Sequence, residues 1–572
     1  MLEVTNLQNG EVLPHRLCLL RVVGTQPEAT CAAIHNQSDN RRNGALWKIH
    51  QGGFNALVPL VKGKNDLRII CGTEETTIQV VYKPLDIPRF IRLVYITCAN
   101  EDKFQGPKDM ERSPNTAVRK IQTGALVLQT FVAETLAAEG LGRRTFRYEV
   151  DTEGNPIVHV IQLPLTIREA HKFTEERLWE TSALHILSSH LADKNCKYVA
   201  FFGGTRFMNP DKTILKHETE IMALTKGQVS LGGGGLALVG TGALYSWATE
   251  VDDVMEAMRD PKPVDTTSLM DFSGGRGTWG ASYGTHLGSV LHELAHTLDL
   301  GHTPHGIMAR GFEDLHVFFT TTKLTSDYLP QSPHHSSVMR QSMSSSLIKE
   351  SVTFTTDFVR RIPLDNINMT VEPPKEPLAS SGVYSPPILT RRYPTKFNNS
   401  NSDSNSPLTL EDSLSSSQTQ KNACSRTLLN APSPNITSSI LNNNKLQEND
   451  GSKCRAFWAR SSAVLLAFHK WLNVVTDGEA PELKGVTGHA IKVGCCSAMS
   501  VVCSTAGIRI VELRDLHTMA FHHWEFVTRP PPPVLHLPWA QVPHWPSDTH
   551  IEVVAEDSQG NLLKGCFMPR PL

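Results

Sequence analysis

The residues best able to do chemistry in this chain stand together in Leu291-His-Glu-Leu-Ala-His-Thr-Leu-Asp-Leu-Gly-His-Thr-Pro-His-Gly-Ile-Met308. His292 and His296 are four apart, a spacing that stacks two imidazoles one turn apart on a helix. Two such rings can share one Zn2+ through nitrogens at about 2.0–2.1 Å. Glu293, beside the first histidine, is placed to reach a metal-bound water rather than the metal. His302 follows six residues after His296 and completes a three-histidine ligand set for one ion, because Gly301 and Pro304 end the helix and let the chain fold back under the metal. With 24 His in 572 residues, HExxH arises by accident in about one such chain in twenty. The added third His cuts that to about one in five hundred. The chemistry expected is hydrolysis. Zinc lowers the pKa of its water to about 7 and polarises a carbonyl. Glu293 takes the water proton and later gives a proton to the leaving amine.

Neighbouring residues carry weaker claims. His305 replaces His302 as a ligand only if that ring turns away. Asp299 fits the role of orienting a ligand imidazole better than that of a ligand. Glu313 and Asp314 are better placed to anchor a loop than to bind metal. Gly232–Gly235 is not a phosphate loop, since no Gly-Lys-Ser/Thr follows. Ser273-Gly-Gly-Arg-Gly277 reads as a flexible cleft rim, with anion binding by Arg276 the lesser alternative, and His286 as structural.

A helix must position the motif. At about 100° per residue, Leu287, Val290, Leu291, Leu294 and Leu298 share one stripe, and His292 and His296 point the other way. The helix is therefore expected to bury one face and turn two imidazoles into a cleft. Around it, residues 88–330 alternate strands and helices: a strand at Phe90–Cys98, a long helix opened by Ser113-Pro114 and stopped at Gly140 and Gly142, a helix at Glu169–Leu191, a strand at Lys197–Gly203, an apolar run at Leu236–Tyr245, and a short helix at Glu250–Arg259. Residues 1–87 read as short Val/Ile/Thr-rich strands between turns, an immunoglobulin-like β-sandwich. Residues 331–453 are dominated by Ser, Asn, Pro and Thr and are expected to be a disordered insertion. Ala456–Leu472 has helical apolar spacing, which assigns 454–475 to the domain of 88–330. Residues 480–572 read as a β-rich C-terminal domain. The class expected is α+β or α/β.

Composition narrows the setting. The 55 Lys+Arg balance 57 Asp+Glu, a net charge of -2, which argues against broad electrostatic binding to nucleic acid or anionic lipid. No apolar run reaches the roughly 18–20 residues that span a bilayer, and the first residues lack a signal-peptide pattern. A cytoplasmic protein, with a nuclear location the alternative, is expected. Eleven scattered cysteines without a CxxC pair read as reduced thiols rather than a disulfide framework.

The motif resembles that of the metzincin zinc endopeptidases, HExxHxxGxxH followed by a Met-turn. The resemblance implies that His292, His296 and His302 are the ligands, that Glu293 is the catalytic base, and that Met308 lies beneath the metal. It also implies a metzincin-like core flanked by the two β-rich regions, and an edge strand upstream of the zinc helix that pairs with extended substrate; the run Leu236–Tyr245 is the strand assigned to that role. The metzincin glycine falls at Asp299 here, a residue that tolerates a left-handed backbone better than most. This feature, with Gly306-Ile-Met-Ala-Arg-Gly-Phe-Glu-Asp314, is closer to a poorly characterised eukaryotic family of zinc metallopeptidases, similar over roughly residues 50–330 and 454–570. The function expected is a zinc-dependent endopeptidase acting on a peptide or protein. The alternatives are a zinc-held binding scaffold and a zinc hydrolase of a non-peptide amide.

Overall fold

The computed structural model describes residues 2–39, 44–50, 52–321, 454–473, 491–496, 499–515, 518–537, 542 and 551–567. The segment 331–453, expected as a disordered insertion, lies outside the described residues.

Residues 3–82 form eight strands: β1 (Glu3–Val4), β2 (Glu11–Leu13), β3 (Leu17–Val23), β4 (Cys31–Asn36), β5 (Ala45–Lys48), β6 (Gly53–Pro59), β7 (Gly63–Cys71) and β8 (Glu74–Tyr82). They make a three-stranded sheet, β1-β3-β6, and a five-stranded sheet, β2-β8-β7-β4-β5. Alternation in β7, with Leu67, Ile69 and Cys71 fully buried, is the period-2 pattern of a half-buried strand.

A third sheet holds β9 (Phe90–Cys98), β10 (Val158–Leu163), β11 (Cys196–Phe202), β14 (Ser230–Gly233) and β15 (Leu236–Gly240); the short β12 (Arg206–Phe207) and β13 (Thr225–Lys226) pair separately. Its order is β10-β9-β11-β15-β14, parallel except for β14, which runs antiparallel to β15. β9, β11 and β15 are almost wholly buried, as the inner strands of a sheet covered on both faces must be. The apolar run at 236 is thus an inner strand, not the substrate-facing edge expected of it. It leaves the sheet at Gly240, and the edge belongs to the Gly-rich β14.

Helix α1 (Pro114–Ala138) is capped by Ser113, whose hydroxyl accepts from Thr116 N–H, with proline in the first turn, both favourable starts. Instead of one helix at 169–191, α2 (Ile167–Ala170) and α3 (Glu175–Leu187) are separate, because Thr174 caps the second. The small α4 (Glu218–Ala223) and α5 (Val254–Arg259), the latter after a 3-10 turn at Val251–Asp253, precede α6 (Trp279–Thr297) and α7 (Leu315–Thr320). The helix expected over 456–472 is shorter, α8 (Arg460–Phe468).

α6 differs most from expectation. It is enclosed on more than the one face expected: residues 280–295 are all buried. Gly280, Gly284 and Gly288 form a stripe four residues apart. A Cβ at these positions would lie 2.4 Å from Met258 O, 2.5 Å from the His316 ring and 2.0 Å from Phe312 O. Side-chain-free positions thus let the segment 310–320 and α5 close over a helix whose other faces carry Leu and His.

The C-terminal strands are β16 (Ile491–Cys496), β17 (Met499–Ser504), β18 (Ile508–Arg514), β19 (Ala520–Glu525), β20 (Val534–His536), β21 (Ile551–Asp557) and β22 (Leu562–Phe567), in sheets β16-β17-β20 and β19-β18-β21-β22. The molecule is thus a mixed α/β fold of several sheets. Among the described residues no helix is long and apolar enough to cross a membrane. Cys18, Cys71, Cys98, Cys196 and Cys454 are free and buried.

Candidate metal centre

α6 starts at Thr278, whose hydroxyl accepts from Ala281 N–H, and ends in a Schellman turn. Asp299 takes a left-handed backbone, φ 67°. Its N–H bonds to His296 O at 3.1 Å, and Leu300 N–H bonds to Ala295 O at 3.1 Å. The reversal swings Leu300 back over the last turn, where its carbonyl accepts from His296 Nδ1 at 2.9 Å. A second turn at Gly306, φ 81°, brings Ile307 O to 2.8 Å from His292 Nδ1 and buries Met308. His302 sits between these turns.

The three imidazoles converge. Ring centroids are 4.7 Å apart for His292 and His296, 4.7 Å for His296 and His302, and 5.4 Å for His292 and His302. One nitrogen from each lies within 4.8 Å of the others. A carbonyl oxygen can only accept, so the Nδ1 atoms of His292 and His296 carry the hydrogens. Their Nε2 lone pairs then face each other at 3.1 Å. Two lone pairs at that distance repel unless a cation lies between them. Tetrahedral coordination at 2.0–2.1 Å would hold neighbouring nitrogens about 3.3 Å apart, so the donor set fits Zn2+. Burial lowers the basicity of His292, and burial together with the two neighbouring imidazoles lowers that of His296 well below the ordinary value. Both effects keep the rings neutral, as metal ligation requires.

Glu293, one position along the helix from His292, is buried at 9% exposure. Its Oε1 accepts from Ser230 Oγ at 2.9 Å. Burial pushes its pKa up to about 7, and the Ser230 hydroxyl and Gly232 N–H partly offset this. The carboxyl is thus poised near neutrality, where a general base is most effective. β14 makes this possible by packing its backbone on the helix: a Cβ on Gly232 would lie 2.0 Å from Glu293 O. Lys197 ties the two elements together, donating to Gly234 O at 2.8 Å and to Thr297 O at the end of α6. Phe312 meets His292 edge-on at 5.4 Å.

The other candidates fall elsewhere. His305 is exposed. Asp299 does not orient any of the three clustered imidazoles: its carboxylate meets Lys564 Nζ at 2.9 Å and His469 Nε2 at 3.8 Å, and Leu300 O takes the orienting role at His296. Glu313 and Asp314 anchor a loop, through Arg310 Nε at 2.6 Å and Arg455 Nε at 2.8 Å. Arg276 is occupied by Ser273 O, Thr285 Oγ1 and Glu313 O, each at 2.7 Å. His286 bonds Gly240 O at 2.8 Å. Ser230 and Gly232 carried no signal in the sequence. The glycine stripe of α6 is visible in the sequence as a four-residue spacing, Gly280, Gly284 and Gly288.

The sequence matches, over residues 1–374, a family described as "Putative peptidase family". A Schizosaccharomyces pombe protein named "Putative zinc metalloproteinase" is 24% identical over 297 residues, which cover 48% of this chain and 46% of that protein. A Saccharomyces cerevisiae protein of the same name is 25% identical over 332 residues, 51% of this chain and 47% of its own length. The match therefore spans about half the length of these curated relatives. Among solved structures, wild-type OgpA from Akkermansia muciniphila superposes with a TM-score of 0.37 at 10% identity, covering 84% of this chain and 94% of that one. The family match takes in well over half of the 572 residues and includes the whole three-histidine segment: the chain belongs to this peptidase family.

Proposed function

We propose that this chain is a zinc-dependent endopeptidase in which His292, His296 and His302 hold one Zn2+ and Glu293 is the general base. The observation that carries this reading is the pair of Nε2 lone pairs facing each other at 3.1 Å, with His302 beside them and a carboxyl of raised pKa on the adjacent residue. The names of the yeast relatives support zinc as the metal. When bound, Zn2+ supplies Lewis-acid polarisation of the scissile carbonyl and acidifies the attacking water.

The chain's own residues do the rest. Ile307 O and Leu300 O fix the tautomer and the tilt of two ligand rings. Glu293 takes one proton from the attacking water as its oxygen bonds to the carbonyl carbon. It then delivers that proton to the leaving nitrogen as the C–N bond breaks, and the carboxylate is regenerated. Ser230 Oγ holds the carboxylate in line for both transfers. β14 ends its sheet and is only half-buried, so it can accept an extended peptide as an added strand beside Glu293. With this reading go a metzincin-like core with Met308 beneath the metal, and a layout of a β-sandwich at 1–87, a peptidase domain at 88–330 plus 454–475, and a β-rich domain at 480–572.

The test is Glu293→Gln, assayed for zinc content and for cleavage of a peptide library. Zinc should stay at one per chain, and cleavage should fall by at least about 100-fold, the usual worth of a general base. A variant that cleaves at the wild-type rate refutes the assignment.

A further inference from the structure

The first two ligands and their orienting carbonyls come from one continuous segment, 292–307. The third does not stand alone. His302 N–H donates to Thr518 O at 3.0 Å, and Ala520 N–H donates to His302 O at 2.8 Å; the His302 backbone pairs with Met519 as a one-residue parallel bridge. His302 Nδ1 lies 3.2 Å from Thr518 Oγ1. Three residues earlier, Asp299 O accepts from Arg514 Nη2 at 2.8 Å. Arg514 is itself buried and fixed by Glu512 Oε1 at 2.6 Å. Gly301 is pressed so closely on this surface that a Cβ there would lie 2.5 Å from Thr518 O. The loop between the second and third histidines is therefore seated on the turn that joins β18 to β19, more than two hundred residues later in the chain.

Thr518 holds a conformation its side chain disfavours. Its φ is 59°, the left-handed region where a β-branched residue is a genuine outlier. Glycine would suit this backbone better. What threonine adds is a hydroxyl, and the hydroxyl faces His302 Nδ1. Strained residues of this kind cluster where the strained side chain serves a site.

We propose that Thr518 is a positioning residue of the metal centre. Its hydroxyl accepts from Nδ1–H of His302, fixes the tautomer that turns Nε2 toward the ion, and makes the C-terminal β-region part of the metal site. This rests on the zinc reading above. Partners of this kind are worth about 10–100-fold in metal affinity.

The test compares Thr518→Gly with Thr518→Ser in the full chain. Zinc affinity is read by competition with a chromophoric chelator, and Tm is read on the metal-free protein. Thr518→Gly removes the hydroxyl and relieves the backbone, so metal-free Tm should hold or rise while zinc affinity falls about 10-fold. Thr518→Ser keeps the hydroxyl and should bind zinc within about 2-fold of wild type. A glycine variant that binds zinc as tightly as wild type overturns the positioning role and leaves the metal reading standing. So does a serine variant as weak as the glycine one. A wild-type chain that binds no zinc overturns the metal reading and this inference with it.

Discussion

Gly232→Ala perturbs the contact between the edge strand and Glu293, the base of the proposed mechanism, by a single methyl group. The added Cβ would lie 2.0 Å from Glu293 O, 2.6 Å from its carbonyl carbon and 2.7 Å from its Cα. All three are main-chain atoms, so no rotamer change relieves the clash. Ordinary contact requires about 3.5 Å, so β14 must retreat from α6 by roughly 1.5 Å. Overpacking of this kind costs about 1–3 kcal/mol. It also stretches the 2.9 Å bond from Ser230 Oγ to Glu293 beyond hydrogen-bond range. A misplacement of about 1 Å at a catalytic group can cost about 100-fold, so kcat/KM should fall by about that factor. Zinc content should not change, since the carbonyls orienting His292 and His296 belong to Ile307 and Leu300. The control is one residue on: a Cβ at Gly233 meets nothing within 4 Å, so Gly233→Ala should cleave within a few-fold of wild type. The assay is cleavage of a fluorogenic peptide found by library screening, with metal content and melting measured on the same samples. Near-wild-type activity in Gly232→Ala, or equal losses in both variants, would refute the reasoning.

Two further outcomes follow from side chains around the site. His286 is buried, bonded to Gly240 O and held neutral with its pKa lowered from 6.5 to about 4 by burial. A histidine whose folded pKa is depressed contributes fully above its unfolded pKa of about 6.5 and loses that contribution as pH falls toward 4. By linkage the chain should be about 2 kcal/mol less stable at pH 5 than at pH 8 from this residue alone. Urea titrations at the two pH values should show that His286→Gln removes about this much of the difference; an unchanged difference would count against it. His302→Ala should lose zinc on dialysis while His305→Ala keeps it, read by mass spectrometry of the metal, because only the His302 nitrogen joins the cluster; the reverse pattern would exchange the two roles.

Much of the site was legible in the sequence because it is local. His292, Glu293, His296, His302 and the turn at Asp299 lie within eleven residues, where helical spacing and turn chemistry decide geometry. The strand at 90 and the cap at Ser113 were readable for the same reason. The rest depends on long-range packing. Ser230 and Gly232 meet Glu293 only because β14 doubles back on β15, and a short Gly-rich strand has no periodicity to announce it. The run at 236 was assigned to the sheet edge, yet its unbroken apolar character is the mark of an inner strand. The leucine stripe of α6 predicts one buried face and a cleft on the other, whereas Gly280, Gly284 and Gly288 allow backbone to pack on a further face. Nothing near residue 302 points to Thr518, since a one-residue bridge leaves no pattern in either segment.

Zinc K-edge X-ray absorption on the purified full chain tests the central claim most directly. Three imidazole nitrogens at about 2.0–2.1 Å with one further light-atom ligand, lost together in His296→Ala, is the predicted result. A spectrum with sulfur neighbours, with fewer than three imidazoles, or unchanged in His296→Ala would contradict it.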